Sequence, residues 1–68
     1  MNSQKLLEEI KRQGKNVRDI AREIGIGYST LYKKINGKTE FKLSEMRKIS
    51  NSLNLTNPDE YFFDQNVS

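Results

Sequence analysis

Tyr28, Ser29, Tyr32 and Lys33 fall within six positions of one another, at a spacing that lets them share the exposed face of one helix. Their chemistry is that of recognition, not of bond breaking. A lysine can donate to guanine O6 and N7, and a serine hydroxyl can bond almost any base edge. Tyrosine rings offer apolar surface to a thymine methyl and carry a hydroxyl at the tip. The same two rings would serve equally to cover neighbouring aliphatic side chains with their hydroxyls in water. A second set, Asn16, Arg18, Asn36, Lys38 and Lys42, is polar or cationic and suits phosphate oxygens, contacts that position a protein without specifying sequence. Catalysis has little to work with. The chain has no histidine and no cysteine, so the commonest general base and the usual soft metal ligands are missing. Its carboxylates fall mostly at solvent-facing helix positions, and no acid–base constellation can be assembled from them. No enzyme activity, metal or other cofactor, or small-molecule ligand is expected.

These side chains need a scaffold, and 68 residues allow one domain, spanning 1–68. A chain of this size buries only about 60% of the surface that its unfolded form exposes. Without disulfides, stability must come from helix packing, with dimerisation as a further source. The longest apolar run is Tyr61-Phe62-Phe63, too short to span a membrane. The N-terminus lacks an apolar signal region, so a cytoplasmic location is expected. Net charge is +3, but it is unevenly spread: eleven Lys and Arg stand against four acids between Lys11 and Lys48, and Asp59 to Asp64 holds three acids and no base. By itself a basic middle fits a solvated surface as well as a polyanion footprint, and it gains meaning only beside the motif.

The periodicity predicts five helices. The first covers 4–13, capped by Asn2 or Ser3, with Leu6, Leu7 and Ile10 as its apolar stripe, Glu8 and Arg12 paired at i,i+4, and Gly14 at its end. The second covers 17–24. Asn16 caps it, Asp19 stands where a capping box needs its reciprocal partner, and Val17, Ile20, Ala21 and Ile24 make one face. Gly25-Ile26-Gly27 forms the turn, and Ile26 is expected to point inward. The third helix covers 28–36 with Leu31 and Ile35 buried, and Asn36-Gly37 ends it. Lys34 is expected to lay its stem along the core edge while its amine reaches out to solvent. Phe41 should plug the core from a loop. The fourth helix covers 43–53, with Leu43, Met46, Ile49, Ser50 and Leu53 inward, Ser44 as a stand-in for the missing cap at Lys42, and Asn54 as a left-handed terminator. Pro58, Asp59 and Glu60 suit the start of a short fifth helix over 58–63. Three consecutive aromatics cannot all be buried on one narrow face, so one of Tyr61, Phe62 and Phe63 should plug the core and another should pair with a partner. Residues 64–68 are expected to fray.

Two amphipathic runs joined by a short glycine turn are the grammar of a helix-turn-helix. The run from Asn16 to Lys38, with Ala21, Gly25, Leu31 and Asn36-Gly37 in register, resembles the helix-turn-helix of the Cro and lambda-repressor-like family, and the stretch from Phe41 to Leu55 looks like that family's fourth helix. The resemblance covers about residues 5 to 63. It implies an all-α, five-helix DNA-binding domain that binds double-stranded operator DNA as a homodimer, in the manner of a small phage-type Cro regulator. Carried over by position, base reading falls on Gly27, Tyr28, Ser29 and Lys33 with Tyr32 nearby. Phosphate contacts fall on Asn16, Val17 and Arg18 before the second helix, and on Asn36 and Lys38 after the third. Three positions depart from the family pattern. Val17 stands where Gln is common, which leaves only its backbone N–H. Gly27 stands where Ser or Thr is common, which removes a cap and a possible base contact. Lys34, not an apolar residue, stands three after Leu31, so the roll of the recognition helix is open at this point.

The leading expectation is a sequence-specific repressor reading a palindromic operator in the major groove. The alternative is a protein-interaction module, such as an antitoxin or anti-repressor, that uses Tyr61, Phe62 and Phe63.

Overall fold

A reciprocal pair of hydrogen bonds starts the second helix. Asn16 Oδ1 accepts the Asp19 N–H at 2.9 Å, and the Asp19 carboxylate accepts the Asn16 N–H at 3.0 Å. The computed structural model describes residues 1–63; the expectation for 64–68 lies outside them. Within the described residues the helices are α1 (Ser3–Arg12), α2 (Val17–Ile24), α3 (Tyr28–Ile35), α4 (Leu43–Leu53) and α5 (Asp59–Phe62), with no strand. The fold is all-α. No helix among these residues is long and apolar enough to cross a membrane.

Every helix contributes to one core. Leu6 and Ile10 come from α1, Ile20, Ala21 and Ile24 from α2, Leu31 and Ile35 from α3, Ile49 and Leu53 from α4, and Phe62 from α5. The second helix is central, packing on both α3 and α4, while α5 folds back on α1. Ala21 suits that position, because a small buried side chain lets a neighbouring helix come close. Left-handed backbone closes the helices where the sequence supplies residues that tolerate it: Gly25 at φ +80° after α2, and Asn54 at φ +53° after α4. Ile26 is half-buried against the core, as its place in the turn implied. Phe41 also packs on it, edge to face with Phe62 at 5.4 Å between centroids.

Several local expectations are corrected. The first helix begins and ends one residue earlier than 4–13, since Asn2 takes the cap by accepting the Lys5 N–H. Ser3 is not the cap; its hydroxyl donates across the fold to the Ile35 carbonyl. Arg12 turns to Glu9, not to Glu8. The third helix stops at Ile35, with Asn36 as its C-cap. The fourth helix is started by Glu45, whose carboxylate accepts the Lys42 N–H at 2.8 Å, so Ser44 does not substitute for a cap. Leu43 is 59% exposed instead of inward, because the first turn of α4 runs beyond the core that Ile49 and Leu53 enter. The fifth helix is a single turn, shorter than 58–63, because Phe63 is already extended at φ −118° and ψ 150°. It is tied to α1 by the Asn2 N–H, which donates to the Tyr61 carbonyl at 3.0 Å, and by Lys5, which pairs with Glu60 at 2.8 Å.

Candidate nucleic-acid interface

The roll of α3 decides which side chains it presents. Leu31 and Ile35 are buried, and so is Lys34, at 8% exposure. The buried position three after Leu31 is therefore filled after all, by a lysine. Its amine does not reach solvent. It donates to Glu45 Oε1 at 2.7 Å and to the Glu40 carbonyl at 3.3 Å. A buried ammonium with a carboxylate and a carbonyl at hand can occupy a position that otherwise calls for an apolar residue.

With three buried residues the helix has one outward direction. At about 100° per residue, Ser29, Lys33 and Asn36 lie opposite Leu31, Lys34 and Ile35. All three are exposed. Tyr28 and Tyr32 lie on one flank of that face. Their rings meet at 5.6 Å between centroids, and the Arg18 guanidinium on α2 lies 4.5 Å from the Tyr28 centroid. Thr30, exposed on the opposite flank, was not among the residues singled out from sequence.

At the start of α2 the capping box takes the Asn16 side-chain oxygen and backbone N–H. What remains for an anion is the Asn16 amide nitrogen and the N–H groups of Val17 and Arg18, which have no partner among the described residues. Val17 otherwise packs against the core with its side chain. Asn36, Lys38 and Lys42 are exposed after α3, the first two beside the left-handed Gly37 at φ +81°.

Charge pairing sorts the basic residues. Lys15 is drawn to Glu23 at 3.2 Å, Arg22 to Asp19 at 3.7 Å, and Lys34 to Glu45. Arg18, Lys33 and Lys38 have no carboxylate partner among the described residues. The same is true of Lys11 on α1, of Lys42, and of Arg47 and Lys48 on α4. Pairing thus leaves Arg18, Lys33, Lys38 and Lys42 open to a polyanion beside and beyond α3, without confining the free cations to that side. The Tyr61-Phe62-Phe63 run divides differently from the others. Phe62 is in the core, Tyr61 is half-buried under the Lys5 ammonium at 5.2 Å, and Phe63 is 48% exposed. Phe62 is thereby removed from the surface on which a partner could sit.

A family model described as helix-turn-helix matches residues 6–61. The chain belongs to the helix-turn-helix family. As a helix-turn-helix protein it is a DNA-binding transcriptional regulator that acts on double-stranded DNA, with α2 and α3 as the two helices of the motif. Comparison with curated proteins and with solved structures returned no match.

The helix-turn-helix also has a correctable weak point. Gly27 caps α3 without any side-chain hydrogen bond, at φ −69° and ψ 149°, a conformation open to any L residue. A Cβ there would meet Thr30 Oγ1 at 3.7 Å, an ordinary contact. Gly27→Ser is expected to stabilise the fold by about 0.5–1 kcal/mol, from the restored cap and a less flexible unfolded chain. Urea denaturation of the two proteins checks this; a lower midpoint for the serine variant would contradict it.

Proposed function

We propose that the protein is a Cro-type repressor that binds a palindromic operator as a homodimer, with α3 in the major groove. The observation that carries this reading is the outward face of α3, rolled into place by Leu31, Lys34 and Ile35 and holding a lysine without a carboxylate partner. Ser29 and Lys33 read from the centre of that face, with Tyr28 and Tyr32 on its flank and the Gly27 backbone at its start. Asn16, the Val17 N–H, Arg18, Asn36, Lys38 and Lys42 hold phosphates. Half-sites would lie about 34–36 Å apart, one turn of the duplex.

The homodimer reading draws support from the α4–α5 edge, where Leu43 and Phe63 are exposed and line one groove with Met46 and Pro58. Of the three aromatics in the tail, Phe63 is the exposed one on this groove, so the pairing is proposed to run through Phe63 and Leu43, with the buried Phe62 at the groove floor.

Mobility-shift titration in rising salt tests the reading. Binding should weaken steeply with salt while a preferred duplex keeps its advantage over random DNA. Lys33→Ala should cost about 1–3 kcal/mol on the preferred duplex and relax one base position, whereas Lys38→Ala should weaken all sequences alike and reduce the salt slope by about 1. Absence of any preferred duplex at any salt would sink the proposal. The same apolar edge favours the second reading, a protein-interaction module such as an antitoxin or anti-repressor. In that case Lys33→Ala leaves activity intact and Phe63→Ser abolishes it.

A further inference from the structure

Three side chains from two helices form one stack beside the outward face of α3. The Arg18 guanidinium lies 4.5 Å from the Tyr28 centroid, and the Tyr28 and Tyr32 rings meet at 5.6 Å with their planes tilted by 56°. Arg18 is the second residue of α2 and Tyr28 the first of α3, so the contact bridges the turn. Burial does not hold these rings: Tyr28 is 38% exposed and Tyr32 40%. Neither hydroxyl has a hydrogen-bond partner among the described residues. Tyr28 also follows a glycine cap that makes no side-chain bond. A half-exposed ring at that position has several rotamers open to it, and a cation over its face favours one of them. Arginine suits the task better than lysine, because its planar head can stack on a ring while its N–H groups stay available for an anion. No carboxylate among the described residues draws Arg18 away, unlike Arg22 on the same helix.

We infer that Arg18 is a positioning residue for sequence preference: it orients Tyr28, and through it Tyr32, for contact with base edges while its free N–H groups meet a phosphate. The inference rests on the DNA-reading face proposed above. Its consequence is that phosphate contact and base contact are coupled. A backbone that places its phosphate differently draws the guanidinium, and with it the ring, to a different position. A simple phosphate anchor would instead weaken all sequences alike.

A duplex selected by the full chain from a randomised pool serves as the probe, and a scrambled duplex of the same composition as the reference. Arg18→Lys retains a cation for the phosphate, so the salt slope should be unchanged while the preference for the selected duplex falls about three- to fivefold. Arg18→Ala should lose the same preference and also reduce the slope by about 1. In a Tyr28→Ala background, Arg18→Lys should have no further effect on preference. In the free protein, Arg18→Lys should shift the Tyr28 ring proton resonances and leave the melting temperature unchanged, since Arg18 is exposed. Uniform loss of affinity in both Arg18 variants, with the preference intact, would overturn the inference and leave Arg18 a phosphate anchor. Failure of the wild-type chain to enrich any duplex would overturn it by another route, by removing the reading face itself.

Discussion

Glu45→Ala is expected to destabilise the protein by about 3 kcal/mol, since it leaves the Lys34 ammonium buried without its counter-charge. A single core of this size rarely supplies more than about 3–5 kcal/mol, so a large fraction of the variant should be unfolded at room temperature. The double variant Lys34→Met/Glu45→Met is expected to recover the part of the loss that comes from the unpaired ammonium, but not the cap that the Glu45 carboxylate gives the Lys42 N–H, about 0.5–2 kcal/mol. Two apolar side chains of similar volume need no hydrogen bonds, and buried ion pairs are commonly replaced in this way without cost. Urea denaturation of the single and double variants checks both statements. A Glu45→Ala midpoint equal to wild type would show that the pair does not constrain α3.

The same pair gives the pH dependence a sign. Burial raises the Glu45 pKa, but the bonds from Lys34 and from the Lys42 N–H outweigh it and hold the carboxyl below the ordinary 4.5. A carboxyl depressed in the folded state contributes stability that is fully present above its unfolded value and is lost as pH falls through its folded one. Glu9 behaves likewise, lowered to about 2 by hydrogen bonds from Arg12 and Gln13. Stability should therefore be flat with respect to these groups above about pH 5 and decline between about pH 4.5 and 2. Glu45→Gln should remove its share of that decline.

Phe62→Ala and Phe63→Ser should part company, although the residues are adjacent. Phe62 is 6% exposed and meets Phe41 edge to face at 5.4 Å, so truncating it should cost about 3–5 kcal/mol, enough to unfold most of the protein. Phe63 is about half exposed, and its replacement should leave the urea midpoint within about 0.5 kcal/mol of wild type. Its effect should appear instead in the mass measured in solution or on DNA, where pairing through Leu43 and Phe63 is lost. A Phe63→Ser protein with unchanged mass in both states would remove the α4–α5 edge as the pairing surface.

The contrast between these neighbours shows where sequence reading stops. A run of three aromatics announces that one must be exposed, but not which. That depends on the single turn of α5 and on the angle at which Lys5 and Asn2 tie it to α1. Leu43 failed for a related reason. Periodicity gives the apolar face of a helix without saying where along its length the neighbouring helices end. In the sequence Lys34 has the look of a snorkelling side chain, because its partner, Glu45, is eleven residues away and on another helix.

What the sequence determined by itself was local. The capping box of Asn16 and Asp19, the left-handed Gly25 and Asn54, and the core stripe of Ile20, Ala21 and Ile24 each depend on residues within about two turns of one another, where helix geometry dictates who meets whom. The glycine turn between two such runs was enough to identify the helix-turn-helix. Tertiary structure decided what those helices present. The buried Lys34–Glu45 pair sets the roll of α3, and the contact of Arg18 with Tyr28 joins α2 to its flank. Both are interactions between helices, and their energy depends on distances that no spacing along the chain encodes.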